Sequence, residues 1–429
     1  MAWPIVLANA AAPLLGLTDT AVLGHTGGTA ELGAIAVGGL IFNFVYWSFG
    51  FLRMSTTGFT AQARGAGDTS EVRATLARSL LLAVAIGALL IALSPLIGRA
   101  AFALLAASPR VEASAADYFF VRIWGAPATL GMYALTGSFI GLGTTQRLLL
   151  TQLLLNGLNL ALDVWFAGYL NWGARGIAWG TVISEWVALG FGLWLARGVL
   201  GRDSHETASF WDLGRILDRK KLKQTLNANA DIMLRTLTLL SSFAWFTNQS
   251  AVFGDTILAA NHVLLQFISF SAFFLDGYAF VAESLVGAAV GAKQRPRFDQ
   301  VVRRSSELSL GTAAVLAAAI AFGGGAMLHA LTSVDAVQQE ATRYLPLAGA
   351  YVLIGGATFQ LDGIFIGATR TRAMRNAAFE ALLVFLGASI VLTNRFANTG
   401  LWLAFCIFVA ARAATLALRL PALRQSIAP

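Results

Sequence analysis

Charge is what this chain has least of. Asp, Glu, Lys and Arg make up 12% of its 429 residues, about half the share of an ordinary soluble domain. Apolar residues make up 57% and the mean hydropathy is +0.68, which excludes water as the main solvent of the surface. Cysteine is almost absent. The single one, Cys406, lies in an apolar run, so no intrachain disulfide forms and the redox compartment stays open. Histidine is scarce too, with four copies, and no H-E-x-x-H pattern occurs. The chain also lacks a D-x-x-x-D pair for a prenyl diphosphate and a G-x-S-x-G elbow, and Gly141-Leu142-Gly143 has no phosphate-loop context. No metal or cofactor site is therefore read, and an intramembrane enzyme is disfavoured. A basic region is missing from Met1-Ala2-Trp3-Pro4, so the first apolar stretch is read as a retained helix rather than a cleaved signal.

In place of these features stand long unbroken apolar runs, such as Leu80–Leu93 and Ala313–Phe322. A membrane barrel alternates polar and apolar residues. Continuous runs mean helices, which satisfy their own backbone hydrogen bonds in lipid. About 20 apolar residues span the hydrocarbon, and the chain accommodates twelve crossings. They lie near residues 3–24, 32–63, 75–106, 112–143, 148–169, 174–197, 222–253, 256–291, 298–331, 335–368, 374–393 and 400–420. Turn chemistry separates them, as in His25-Thr26-Gly27-Gly28, Arg64-Gly65-Ala66-Gly67-Asp68, Asn171-Trp172-Gly173 and Asn398-Thr399-Gly400. The expected fold class is all-α integral membrane.

The net charge of +8 and the pI near 10.0 follow from where the basic residues lie. Of the 30 Lys and Arg, 21 fall in the loops after even-numbered crossings, the adjoining helix ends and the C-terminal tail. Arg64, Arg73, Arg78, Arg147, Arg215, Lys220, Lys293, Arg370, Arg375 and Arg424 are among them. Six fall on the other side: Arg99, Arg110, Arg122, Arg175, Arg343 and Arg395. Basic loops stay in the cytoplasm, which places both termini there and predicts a bacterial inner-membrane location. Contact with lipid headgroups accounts for the basic pI, and no nucleic acid is needed.

The longest hydrophilic stretch, 198–221, lies mid-chain and contains an amphipathic segment, Phe210–Leu217, read as a short interfacial helix. It divides an N-terminal lobe, 1–197, from a C-terminal lobe, 222–429. An internal repeat relates the two. Tyr118 and Tyr344 stand 226 residues apart, as do Phe139-Ile140-Gly141 and Phe365-Ile366-Gly367. The same offset links Leu32 with Leu258, Val37 with Val263, Gly65 with Gly291, Ser79 with Ser305 and Thr145 with Thr371. An offset of six helices keeps orientation, so the repeat is parallel. Two pseudo-symmetric six-helix bundles around a central cavity are the expected architecture.

A carboxylate within a crossing is costly unless it faces a cavity or a partner, so such residues are candidates for function. Asp19 follows Pro4 and Pro13 in the first crossing, six residues before the turn at His25. It reads as an intramembrane carboxyl or as a helix-end Asp at the interface. Asn156, Asn159 and Asp163 are spaced by three and four, so one helical face carries all three. An Asp flanked by amides suits reversible proton binding, because amides serve either protonation state; the competing reading is a polar contact between packed helices. In the second half, Asp276 and Glu283 share a face of the eighth crossing, and Asp362 sits in Gln360-Leu361-Asp362-Gly363 in the tenth. Asp231 precedes Arg235 by four residues, the spacing of an intrahelical salt bridge. Arg53, isolated in the second crossing, is readable equally as a counter-ion for a cavity carboxylate or as a side chain snorkelling to the interface. Glu185 and Arg412 stand in apolar helices with no role assigned.

At these residues the chain resembles a known family. Pro-Leu-Leu-Gly-Leu-Thr-Asp-Thr-Ala-Val-Leu-Gly-His (Pro13–His25) is similar to the first helix of MATE (multidrug and toxic compound extrusion) transporters. Leu258–Gln266, Leu275–Glu283 and Asn229–Thr236 resemble the DNA-damage-inducible F (DinF) branch of that family. The resemblance implies an antiporter: a proton, or less readily Na⁺, enters while an organic cation or amphiphile leaves. Family proton sites match Asp19, Asn159 and Asp163, with Thr181 in the sixth crossing. A cation-binding carboxylate of the second lobe matches Asp362. The acidic residue that other branches carry in the seventh helix has no match here other than Asp231, and the DinF-like branch favours protons. Pro4 or Pro13 corresponds to prolines at which the family's first helix bends.

The alternatives are separable. A flippase for lipid-linked precursors, from the same superfamily, would want a cationic cavity for phosphate, and only Arg53 and Arg235 offer one. A major-facilitator transporter also has two parallel six-helix halves, but its repeated-Arg loop after the second helix is not matched by Arg64–Asp68. Sites interior to the bundles imply that a monomer suffices.

Overall fold

The computed structural model describes residues 5, 19, 22–23, 29–104, 108–201 and 211–427. Pro4, Pro13 and most of the first crossing lie outside the described residues. Everything regular within them is helical.

In the N-terminal lobe, α1 spans Thr29–Ser48, α2 Phe51–Gly65, α3 Thr69–Leu104, α4 Pro109–Arg122, α5 Ala126–Leu142, α6 Thr145–Asp163 and α7 Gly173–Leu200. The second expected crossing is thus broken at residues 49–50. The fourth is broken by a 3₁₀ turn, Ile123–Gly125, just ahead of Pro127 in the first turn of α5. Proline has no N–H to donate and its ring crowds the preceding turn, so the helix tightens there and restarts.

The connecting segment contains α8, Leu213–Ile216, capped by Asp212, whose Oδ1 accepts the amide N–H of Gly214 at 2.9 Å. This is a single turn, shorter than the helix expected over Phe210–Leu217. Ile216 packs on Ala74 and Ala77, while Leu213, Leu217 and Trp211 stay exposed. Arg73 donates to the carbonyl of Leu200 at 2.7 Å, and Arg78 to that of Arg215 at 3.3 Å. Two basic residues expected in loops therefore close the end of the lobe. The amide N–H groups of Lys221 and Lys220 donate to the Asp218 carboxyl at the start of α9, holding it below the usual carboxylate range. A depressed carboxyl stabilises the fold above its unfolded-state range, and that contribution is lost as pH falls through the lowered value.

In the C-terminal lobe, α9 spans Arg219–Val252, α10 Asp255–Gly291, α11 Arg295–Leu331, α12 Asp335–Gly367 and α13 Thr371–Gln425. The compact units divide between Thr225 and Leu226, inside α9. α13 is two helices joined at Ala397, which has φ 46° and ψ −129°. Phe385 lies 5.8 Å from Phe405, and Glu380 accepts a hydrogen bond from Arg419. Twenty residues of straight helix would separate the first pair by about 30 Å, so the chain doubles back here as two crossings. A buried polar knot fixes the bend. Asn261 donates to Ser250 (2.7 Å) and Asn398 (2.8 Å), and Trp402 donates to Asn261 Oδ1 at 2.8 Å. Around it, Phe246, Tyr351, Phe385, Trp402, Phe405 and Phe408 form an aromatic core.

Eight described helical stretches are long and apolar enough to cross a bilayer. Many large apolar side chains face outward, with Phe322 90% and Leu418 80% exposed. Charged and amide side chains such as Asp163, Glu185, Asn261 and Glu283 face inward. That is the sorting that lipid requires and water would reverse.

The 226-residue repeat is visible in the packing. A Cβ on Gly137 or Gly141 of α5 would strike the carbonyls of Arg53 and Thr57 on α2. A Cβ on Gly363 or Gly367 of α12 would strike those of Ala279 and Glu283 on α10. Each of the two contacts in one lobe is displaced by 226 from its counterpart in the other. Small residues let backbones touch, and van der Waals contact at that range replaces the hydrophobic drive that lipid does not supply. The turns repeat as well. Positive φ occurs at Gly67 (72°) and Lys293 (55°), at Gly143 (72°) and Thr369 (53°), and at Asn171 (54°) and Ala397 (46°). These three pairs carry the same offset, so a positive φ is kept where the residue type is not.

Two outcomes are expected. Gly137→Leu and Gly363→Leu each lower stability by about 1–3 kcal/mol through overpacking, read as a drop in thermal midpoint in detergent. Gly157→Leu, where a Cβ meets nothing within 4 Å, leaves it unchanged. Lys293→Gly raises stability by roughly 1 kcal/mol by removing a left-handed side chain, and Gly67→Lys lowers it by a similar amount.

Candidate functional site

Asp163 is the last residue of α6, and a π-helical turn, Val164–Tyr169, follows it directly. Such a widened turn inserts one residue into the helical register and re-aims the side chains beside it. Here it is held by the Leu170 amide donating to the carbonyl of Trp165 and by Phe166 stacked on Trp172, both at close range (3.0 Å and 5.1 Å). α7 meets this segment with glycine. A Cβ on Gly180 would occupy the place of the Asp163 carboxyl, and one on Gly176 would strike the backbone of Phe166 and Ala167.

Of the three residues expected on one face, Asn159 and Asp163 are wholly buried and Asn156 is half-buried. Asn159 Nδ2 donates to Thr181 Oγ1 at 3.2 Å, and that hydroxyl donates to the carbonyl of Ile177 at 2.9 Å. The Thr181 proton is thereby committed, and its lone pair fixes the Asn159 amide. Both carboxyl oxygens of Asp163, Asn159 Oδ1 and Asp19 Oδ1 are buried without a hydrogen-bond donor among the described residues. Asp19 is 5% exposed, inside the protein rather than at an interface. Its carboxyl faces that of Asp163 within hydrogen-bonding reach.

The fixed charges near this pair neutralise one another. Arg122 donates to Glu185 through two parallel bonds, Nη1 to Oε2 at 2.8 Å and Nη2 to Oε1 at 2.6 Å. The guanidinium lies 5.3 Å from the Phe42 ring centre and 5.6 Å from that of Tyr46, a geometry of cation–π attraction. Arg122 is thus not the outer-loop charge that its sequence position suggests, but a buried one at 6% exposure. Glu185 gains a structural partner. The two are 63 residues apart, and no local spacing connects them; the only signal was a lone charge within an apolar stretch.

The C-terminal lobe holds a different arrangement. Asp362 Oδ2 accepts hydrogen bonds from Arg235 of α9 and from Arg412 of α13, the second at 2.6 Å. Asp231 instead accepts from Arg375 at 2.7 Å and Thr371 at 3.1 Å. The expected intrahelical pair of Asp231 and Arg235 is therefore not formed. An i,i+4 pair contributes only tenths of a kcal/mol on a solvated helix, whereas a buried charge must be met at close range, and α12 and α13 supply the closer partners. Arg412, unassigned in the sequence, joins the cluster. Asp276 is half-buried and Glu283 buried on α10. Both are engaged in interactions, as is the half-buried Arg53 on α2. Among the described residues no group of His, Cys, Asp and Glu is placed to hold a metal ion.

The MatE family model matches residues 4–165 and 232–391, one match per lobe. DNA damage-inducible protein F of Escherichia coli K12 is 35% identical over 420 residues, covering 97% of this chain and 90% of that protein. A probable multidrug resistance protein NorM of Xanthomonas campestris is 25% identical over 98% of this chain and 92% of its own length. Among solved structures, the Vibrio cholerae MATE transporter VcmN in its bent form superposes with a TM-score of 0.89 at 19% identity, covering 99% of this chain and 96% of that one. The twelve-helix fold is common to both. A match through both lobes, and more than one-third identity over nearly the whole length of a relative, place the chain in the MatE family of multidrug efflux transporters, and it is a transporter rather than an enzyme.

Proposed function

We propose that the protein exports organic, mostly cationic or amphiphilic small molecules in exchange for protons, with Asp19 and Asp163 as the coupling pair. The observation that carries this reading is two buried carboxyls facing each other, Asp19 and Asp163, with only the neutral amide of Asn159 beside Asp163. Two bare carboxylates in contact repel, and the contact is attractive only with a proton between them. With the proton present, an O–H of one carboxyl donates to an oxygen of the other. Once it leaves, the pair carries negative charge that Arg122, locked to Glu185, does not neutralise. An organic cation then supplies the missing charge. Proton and substrate compete for one state of the site, which is the condition for coupling. Asn159, held by Thr181, places its amide beside Asp163, and half-buried Asn156 is spaced for the same face.

Protons are favoured over Na⁺ because the second-lobe carboxylate, Asp362, is occupied by two guanidinium groups. A cation arriving there must displace them. The basic loops support an orientation with both termini in the cytoplasm of a bacterium. Each candidate cluster is completed within one lobe of one chain, which supports a working monomer.

The test uses purified protein in inverted vesicles. Adding a lipophilic cation such as tetraphenylphosphonium releases protons from wild type, with or without Na⁺. Asp163→Asn reduces the release to background while the protein stays folded, and Asp163→Glu retains part of it. Undiminished release from Asp163→Asn, or release that requires Na⁺, contradicts the assignment.

A further inference from the structure

The cluster around Asp362 has one positive charge too many. Two guanidinium groups, from α9 and α13, converge on a single carboxylate oxygen. The nearby carboxylate of Asp231 is taken by Arg375 and Thr371. One arginine suffices to neutralise Asp362. A second adds the desolvation cost of another cation on the same carboxylate. Such an excess is expected where the group has something else to bind.

The donors are available for it. A guanidinium carries five N–H donors in a planar fork, and Asp362 takes a bond through Nη2 of each arginine. Among the described residues, buried side-chain nitrogens without a partner include Arg78 Nε and Arg295 Nε but none from Arg235 or Arg412. Their remaining N–H groups are not among these orphaned buried atoms. About a tenth of each side chain is open, 8% for Arg235 and 11% for Arg412. The Arg412 guanidinium is braced 5.8 Å from the ring centre of Phe408, and Tyr351 is stacked on Phe405 at 4.6 Å in the same aromatic core. A rigid pair of forks beside aromatic rings matches the planar oxygens of a carboxylate, or those of a phosphate, better than any cation.

We propose that Arg235 and Arg412 form an anion-binding site in the C-terminal lobe for the carboxylate or phosphate head of an organic acid, with Asp362 as its built-in competitor. The same chain then handles two charge types in two places, a cation at the Asp19–Asp163 pair and an oxyanion here. Binding at this site is read at equilibrium without a gradient, so its outcome is separate from that of proton coupling.

The full-length protein in neutral-lipid nanodiscs is dialysed against 2-naphthoate, 2-naphthyl phosphate and, as the charge control, trimethyl(2-naphthyl)ammonium. Both anions bind and the ammonium does not displace them. Arg412→Gln weakens anion binding by at least about tenfold, the equivalent of one charged hydrogen bond. Asp362→Asn strengthens it by about tenfold, because the competitor is gone; a purely structural ion cluster gives no such gain. Unchanged binding in Arg412→Gln, or no tighter binding in Asp362→Asn, overturns the proposal. If Asp362→Asn does not remain monodisperse, Arg412→Gln, which leaves Arg235 and Asp362 as a one-to-one pair, decides alone. Repeating the measurement in phosphatidylglycerol nanodiscs identifies the source: displacement of naphthyl phosphate assigns the site to a lipid headgroup, and undisturbed affinity assigns it to a soluble acid.

Discussion

Inside a bilayer a charge has no water to fall back on, and in each lobe of this protein every other choice follows from how that demand is met. Arg122 and Glu185 meet it for each other, through two parallel bonds on facing helices. Their mutual satisfaction removes from the N-terminal lobe the one fixed cation near Asp19. Asp19 and Asp163 are left with each other and Asn159. The ion pair thus does more than hold α4 to α7. Being neutral and closed, it leaves the carboxyl pair, in the proposed mechanism, dependent on a charge from outside.

The second lobe answers the same demand with the opposite sign. Where Asp163 lacks a donor, Asp362 has two arginines. Both lobes are built on one plan, with glycines of α5 and α12 pressed to the carbonyls of α2 and α10 at matching positions. A shared scaffold therefore carries two electrostatic characters. Burial of a charge is decided by side chains one at a time, while the backbone contacts that set helix distances tolerate almost no change.

Composition and the 226-residue spacing made the helical class, the number of crossings and the repeat legible before any coordinates, because lipid leaves so few ways to satisfy a backbone. Asp19 and the Asn159–Asp163 face were legible too, since a polar residue in an apolar run stands out. Partnership was not. Arg122 was counted among the charges of the outer side, and nothing local points from it to Glu185. Asp231 and Arg235 read as a pair because spacing on one helix is all that a sequence displays, whereas Arg375 and Asp362 arrive from other helices. The break ahead of Pro127 was missed for a related reason. Hydropathy continues through it, and only the lost N–H and the ring of the proline interrupt the helix.

The three pairs of positive-φ turns have a consequence for how such a chain tolerates change. Gly67 and Lys293, Gly143 and Thr369, and Asn171 and Ala397 keep a positive φ at matching positions with different side chains. What has been kept between the halves is therefore a count of residues from one bend to the next. Point substitutions at these bends alter strain by small amounts, but inserting or deleting one residue between them rotates the following helix by about 100°. That turns its inward charges toward lipid. In this architecture the length of each segment is as much a part of the design as its chemistry, and frame-preserving insertions are the more damaging class of mutation.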